Sequence, residues 1–372
     1  MIVDILKGIF SGSGFAGLTI GNLIMILLAL VLVYFAIAKK YEPMLLLPIA
    51  FGVMLANLPF TGLMQEGGLL YYLYQGVKLG IYPSLIFLGI GAMTDFGPLL
   101  ARPLSLLLGA AAQFGIAIVF VLAVALGFTP QEAASASIVG GADGPTALYL
   151  AAKLAPHLLP AIAIAAYSYM ALIPLIQPPL MRLCTTKKER EVEMKLPRNV
   201  SKLEKICFPI VTTLFCILLL PPVAPLIGML MLGNLFKESG VVERLSNVAQ
   251  NGLINVVTIF LGLTVGATAS AETFLQVKTL LIIGLGLFAF MFSTVGGLLA
   301  GKLVYVVTRG KINPLIGAAG VSAVPMAARV AQVEGQKANP RSYLLMHAMG
   351  PNVAGAIGSA VAAGVMLTYL GG

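Results

Sequence analysis

Apolar residues fall in long runs, and short stretches between the runs carry almost all of the charge. Residues 19–38 form the clearest run, closed by Lys39 and Lys40. Residues 44–60, 103–128 and 157–183 follow in the first half. Residues 67–99 are interrupted by Lys78 and Pro83, and read as an interfacial helix followed by a short span. The second half has runs at 206–220, 225–236, 252–274, 279–308 and 343–370. A bilayer crossing needs about 20 apolar residues, fewer where the span is broken or re-entrant. The pattern predicts an all-α polytopic membrane protein with about ten spans, forming one membrane domain over residues 1–372. Residues 1–15 hold Asp4 and Lys7 and lack the apolar core of a signal peptide, so an interfacial helix is expected there.

Two further apolar segments are broken. Residues 137–149 read S-I-V-G-G-A-D-G-P-T-A-L-Y, with Asp143 set among Gly140, Gly141, Gly144 and Pro145. Glycine and proline both disfavour continuous helix. Backbone freed inside a bilayer persists only where it meets protein or a wet cavity. A carboxylate near mid-membrane costs about 2.5–3.5 kcal/mol even on the lenient insertion scale. Together these features read as an ion site; the plainer alternative is a glycine-rich packing notch with Asp143 at a loop edge. The second broken segment, residues 313–329, reads N-P-L-I-G-A-A-G-V-S-A-V-P-M-A-A-R. It supplies Asn313, Ser322 and Arg329, with Gly317 and Gly320 open to close backbone approach.

Composition agrees with a membrane chain. Of 372 residues, 59% are hydrophobic and 10% charged, against about 25% charged in soluble domains. The net charge of +9 does not indicate nucleic acid, because the basic residues sit between spans, where they set topology. The densest cluster, residues 185–205, is interleaved with glutamates and reads as a solvated cytoplasmic linker. Three cysteines and two histidines lack metal-ligand spacing.

Charge parity and weak self-similarity suggest two inverted repeats. Phe87-Leu88-Gly89 compares with Phe260-Leu261-Gly262, each about fifty residues before a break. If Lys39–Lys40 and the 185–205 cluster share the cytoplasmic side, four spans separate them. The Asp143 segment then re-enters from outside and the Ser322 segment from inside. The expected organisation is a first repeat at 19–183, a linker at 184–205 and a second repeat at 206–372. Transporter folds place ion and substrate sites where such breaks meet.

Sodium wants oxygen ligands, and Asp143, Thr146, Asn313, Ser322 and Asn352 offer them. Asn352 stands in H-A-M-G-P-N-V-A-G, residues 347–355, where a glycine packing face is the alternative. Arg329 lies two helical turns beyond Ser322. It could pair with Asp143, hold an anionic substrate bidentately, or snorkel from a helix end. Tyr169 could donate a proton, or be an aromatic filler that finds a partner. Asp95 is a second buried-carboxylate candidate near a span end, and Glu132 and Glu272 are expected at interfaces.

These three motifs resemble the β subunit of biotin-dependent, sodium-translocating decarboxylases, the family serving oxaloacetate, methylmalonyl-CoA, glutaconyl-CoA and malonate decarboxylases. The resemblance runs over nearly the whole chain, which looks like a short member of that family. It implies an elevator-like, inverted-repeat transporter in the inner membrane. It also implies that carboxybiotin on a carrier is decarboxylated, that sodium is driven outward and that a proton is consumed. Functional positions of the family match here at Asp143, Tyr169, Asn313, Gly317, Ser322 and Arg329. Asp143, Tyr169 and Arg329 are then the expected catalytic set, with Arg329 and Asn352 toward carboxybiotin and Gly140, Gly141 and Gly317 for backbone approach. Implied partners are a carboxyltransferase α subunit, a biotin carrier protein, a small membrane-anchored subunit and further copies of the chain. The residues alone leave two other readings: a sodium-coupled secondary transporter without decarboxylase activity, and a non-catalytic membrane anchor. Buried polar residues argue against the anchor.

Overall fold

Helix starts follow local chemistry. Thr19, Thr129, Thr186 and Ser201 each accept a backbone N–H three residues on, while Asn22, Glu132, Glu189 and Glu204 reach back to the cap. The computed structural model describes residues 12–40 and 42–371. The interfacial helix expected over residues 1–15 falls mostly outside them.

Among the described residues every regular element is helical. The first half contains α1 (Ile20–Ala38), α2 (Pro43–Ala56), α3 (Leu69–Lys78), α4 (Ile81–Met93), α5 (Ser105–Ala112), α6 (Phe114–Ala125), α7 (Pro130–Ser137), α8 (Gly144–Leu154) and α9 (Leu159–Cys184). The second contains α10 (Lys202–Leu219), α11 (Ala224–Ser239), α12 (Ile254–Ala267), α13 (Val277–Val307), α14 (Met326–Ala338) and α15 (Leu345–Leu370). Among the described residues, five helices are long and apolar enough to cross a bilayer, or up to seven if two bent pairs each count as one. The interrupted 67–99 region is one of those pairs: α3 and α4 meet at 64° around Gly80, whose φ is +78°. The other bend, 63° within α9, follows Met170 and precedes Pro174, whose ring cannot coexist with a straight turn over residue 170.

The halves exchange their central helices. α2 packs on α12, and α11 packs on α4. At each crossing the backbones nearly touch. A Cβ on Gly91 would lie 1.9 Å from the Leu230 carbonyl oxygen, and one on Gly266 would lie 2.0 Å from that of Ile49. In lipid, where apolar side chains gain little by leaving their solvent, this close approach is the main source of helix association. Side chains then complete the crossings. Asn234 Nδ2 donates to the Gly91 and Thr94 carbonyls at 3.4 and 3.0 Å. Asn57 Nδ2 donates to Ala269 O at 2.8 Å, and its Oδ1 accepts from Ala271 N at 2.9 Å. Outward-facing Leu218 and Val307 are 82% and 73% exposed, as expected of side chains that face lipid.

α13 fixes which ends of the molecule are opposed. Its first turn carries Lys278, whose Nζ lies 2.6 Å from Glu132 Oε1 at the base of the first broken segment. Near its other end, Lys302 Nζ lies 3.7 Å from Glu189 Oε1 in the linker. At 1.5 Å per residue, about 36 Å of helix axis separates these two lysines. Asn339, at the base of the second broken segment, donates to Glu191 O and Glu193 Oε1 at 3.1 and 2.9 Å, also in the linker. The two broken segments are therefore rooted at opposite ends of α13.

Gly91→Val is expected to destabilise the α4–α11 crossing by about 3 kcal/mol, since neither backbone can yield. Thermal unfolding in detergent should show this as a lowered Tm. Gly284→Ala, where an added Cβ meets nothing within 4 Å, should leave the Tm in place.

Candidate functional site

The first break is built from three successive departures from α-helix. α7 ends at Ser137 and tightens into a 3-10 turn over Ile138–Gly141. Ala142 then adopts φ +52°, and Asp143 is extended, capping α8. Pro145 sits in the first turn of α8, where its missing N–H is no loss. Small residues let this turn lie against its neighbours. A Cβ on Gly140 would be 2.9 Å from Ala289 Cβ, and one on Gly141 would be 2.9 Å from Ser359 Cβ.

The second break runs from the single turn Leu315–Ala318 to α14. Gly317 lies against Gly297, with 2.0 Å between an added Cβ and that carbonyl oxygen. Freed carbonyls here are met by amides from flanking helices. Asn352 Nδ2 donates to Ala319 O and Val321 O at 2.9 and 2.7 Å. Gln177 Nε2 donates to Ala318 O at 3.1 Å. The two breaks then join directly: the Ser322 N–H donates to the Gly141 carbonyl at 2.7 Å.

Asp143 sits at that junction and is 6% exposed. Its Oδ2 accepts from Ser359 Oγ at 2.7 Å and Ser322 Oγ at 3.4 Å, and its Oδ1 accepts from Thr146 N at 3.4 Å. No Lys, Arg or His pairs with it among the described residues. Buried carboxylates are normally paired or bound to a cation. Nearby oxygens are also unclaimed: Thr146 Oγ1, Tyr167 Oη and Gln113 Oε1 are buried without a hydrogen-bond partner, as is Asn352 Oδ1. No group of three or more His, Cys, Asp or Glu side chains is placed to hold a metal among the described residues. One carboxylate with neutral oxygens suits a hard monovalent cation better than a transition metal. A cavity of about 290 Å³ adjoins the carboxylate, lined by Asp143, Ser322, Thr94, Met170, Pro325 and Met349 among others.

The expected site residues divide. Asp143, Thr146 and Ser322 come together. Asn352 holds the second break through its amide and keeps a free oxygen. Asn313 does not join them: its Nδ2 donates to Arg190 O and Val192 O, and its Oδ1 accepts from Leu315 N. Tyr169 donates its hydroxyl to Ile283 O, so it faces α13. Tyr167 is the ring beside the break, its Oη 3.0 Å from a Cβ built on Gly144. Arg329 is exposed and lines a smaller neighbouring cavity with Glu42. Asp95 lies outside the site, bonded to Lys205 Nζ at 3.1 Å and to Gly97 N at 2.8 Å. Sequence reasoning missed Ser359, Tyr167 and Gln113. Ser359 had a signal: it follows Asn352 by seven residues, two turns along one helix face.

Known proteins resemble this chain over nearly its whole length. Residues 21–370 match the family model of the Na+-transporting oxaloacetate decarboxylase beta subunit. The methylmalonyl-CoA decarboxylase subunit beta of Veillonella parvula is 62% identical over 365 residues, covering 98% of this chain and 97% of that protein. The glutaconyl-CoA decarboxylase subunit beta of Acidaminococcus fermentans is 59% identical over 367 residues, covering 99% and 98%. The oxaloacetate decarboxylase beta chain of Klebsiella pneumoniae is 50% identical over 430 residues, covering 99% of each. These three carry different acyl acids in their names, yet the likeness to each runs from end to end; the chain belongs to the family of the Na+-transporting oxaloacetate decarboxylase beta subunit.

Proposed function

We propose that this β subunit decarboxylates carboxybiotin delivered on a carrier domain and couples the reaction to export of sodium, with a proton consumed. The observation that carries the proposal is the Asp143 carboxylate, buried without a cationic partner where two helix breaks meet. Asp143, Ser322 and Ser359 hold the ion, with Thr146 and Asn352 offering further oxygens. Asp143 is the one titratable residue among those lining the cavity, so sodium and proton compete for one carboxylate. Arg329, in the first turn of α14 and lining the smaller cavity that shares a wall with this one, receives the carboxylate of the substrate. The mostly apolar walls keep water from the reacting group. The chemistry supplied from outside the chain is the loss of carbon dioxide from the carboxylated biotin ring.

The same reading extends to architecture. Residues 19–183 and 206–372 form inverted repeats joined by a cytoplasmic linker, with about ten spans, and one bundle moves against the other in an elevator-like manner. Support comes from the exchange of central helices between halves and from the rooting of the two breaks at opposite ends of α13. The subunit works in the inner membrane with a carboxyltransferase α subunit, a biotin carrier protein and a small membrane-anchored subunit, as a homo-oligomer.

Asp143→Asn is expected to abolish both decarboxylation and sodium uptake into inverted vesicles while membrane insertion persists. Wild-type turnover that still depends on sodium would remove Asp143 from the mechanism. In the wild type, avidin should block the uptake; an avidin-resistant flux would indicate a plain secondary transporter.

Ser322→Ala and Ser359→Ala are each expected to raise the sodium concentration for half-maximal rate, by roughly five- to a hundred-fold, with a smaller effect on kcat. Ser359, at the shorter distance, should show the larger change. An unaltered sodium dependence in both places the ion elsewhere.

Cysteines at Gln131 and Asn339, in a background lacking Cys184, Cys207 and Cys216, should label with an impermeant thiol reagent from opposite faces, outside and inside respectively. Labelling of both from one face contradicts the inverted repeat.

A further inference from the structure

Glu42 is a charged residue that the proposed mechanism does not use. It follows the Lys39–Lys40 pair and precedes α2. Its backbone is left-handed, with φ 36° and ψ 57°, and its side chain caps no helix N–H. Side chains other than glycine, asparagine and aspartate seldom occupy that region. Its carbonyl accepts from Leu45 N and Leu46 N at 3.1 and 2.9 Å, but no hydrogen bond or ion pair of its carboxylate is formed within the described residues.

What Glu42 does is face Arg329. The two line a cavity of about 70 Å³ together with Met170, Val324 and Pro325. Those last three also line the larger cavity at Asp143. The small cavity is thus an antechamber, separated from the ion-site cavity by a shared wall of one methionine, one valine and one proline. Arg329 belongs to the first turn of α14, whose far end is bonded to the linker. No ion pair within 4 Å joins Glu42 to Arg329; the charges stand across the gap. Burial pushes the Glu42 carboxyl up from its ordinary range, and the Arg329 charge works against that shift.

We infer that Glu42 is a specificity-determining counter-charge: its carboxylate occupies the field of Arg329 while the antechamber is empty and yields it only to a ligand that brings a carboxylate of its own and fills that space. The ligand class is a small heterocycle bearing a carboxylate on ring nitrogen. With Glu42 in place, simple anions gain little at an antechamber that is already neutral. Without it, the antechamber carries one uncompensated positive charge and accepts anions without discrimination. This rests on the reading of Arg329 as the receiver of the substrate carboxylate.

The test uses the intact decarboxylase complex in proteoliposomes with free carboxybiotin as substrate and acetate as competing anion. For Glu42→Gln, the KM for carboxybiotin should fall about two- to fivefold, by more than kcat changes, the size of a solvent-screened charge pair. Acetate, nearly inert on the wild type, should become a competitive inhibitor. Glu42→Asp should restore the wild-type pattern. In an Arg329→Gln background, Glu42→Gln should alter neither KM nor acetate sensitivity. An Arg329→Gln enzyme with unchanged KM overturns the reading of Arg329 itself. A raised KM in Arg329→Gln, with Glu42→Gln leaving both KM and acetate response unmoved, overturns only the role of Glu42. Equal losses of yield and kcat in Glu42→Gln and Glu42→Asp, without a shift in KM, make Glu42 a structural residue and overturn the inference.

Discussion

The hydrogen bond from the Ser322 N–H to the Gly141 carbonyl is the interaction on which the rest of the site depends. Hydrocarbon offers no partner to freed backbone, so each break needs the other to exist at depth. The bond closes one orphan donor and one orphan acceptor at once. It also sets Ser322 Oγ and Asp143 Oδ2 within reach of each other. Asn352 and Gln177 then satisfy the remaining carbonyls of the second break. That set of bonds, with the packing of α13 against both turns, seats the carboxylate.

The helix crossings serve the same end from a distance. α2 on α12 and α11 on α4 are contacts between halves, made where glycine lets carbonyls come within reach. Breaks placed on two separate halves can meet only if the halves interlock. The ion pairs at the two ends of α13 fix the roots of the breaks, Glu132 at one end and the linker at the other. Buried bonds position the centre; at the ends, partly exposed lysines reach the buried carboxylates of Glu132 and Glu189.

Much of this was legible in the sequence, for physical reasons. A carboxylate among glycines and proline in an apolar run admits few interpretations, and Asp143 stands at the centre of the site's geometry. Long apolar runs read as helices, and the interruption at Lys78 and Pro83 became the bend between α3 and α4. Residue type misled where the partner lies far away in the chain. Asn313 has an ion ligand's chemistry, but its amide is taken by linker carbonyls that no local pattern announces. Tyr167 and Tyr169 are two residues apart on one helix and so point to different sides; sequence alone does not say which side faces the break. Ser359 lies in a run of glycine and alanine, where a serine reads as a small packing residue until a carboxylate 2.7 Å away is seen.

The length of α13 carries a further consequence. Its 31 residues extend about 46 Å, and the stretch from Lys278 to Lys302 alone exceeds a hydrocarbon layer of roughly 30 Å. With a lysine anchored near each surface, the helix must lean by roughly 35° or the lipid must thicken around it. α13 also supplies Ala289 against Gly140 and Gly297 against Gly317, so it touches both breaks. Its lean is therefore coupled to the spacing of the site. Acyl-chain length, which sets bilayer thickness, becomes a mechanical input to the junction at Asp143.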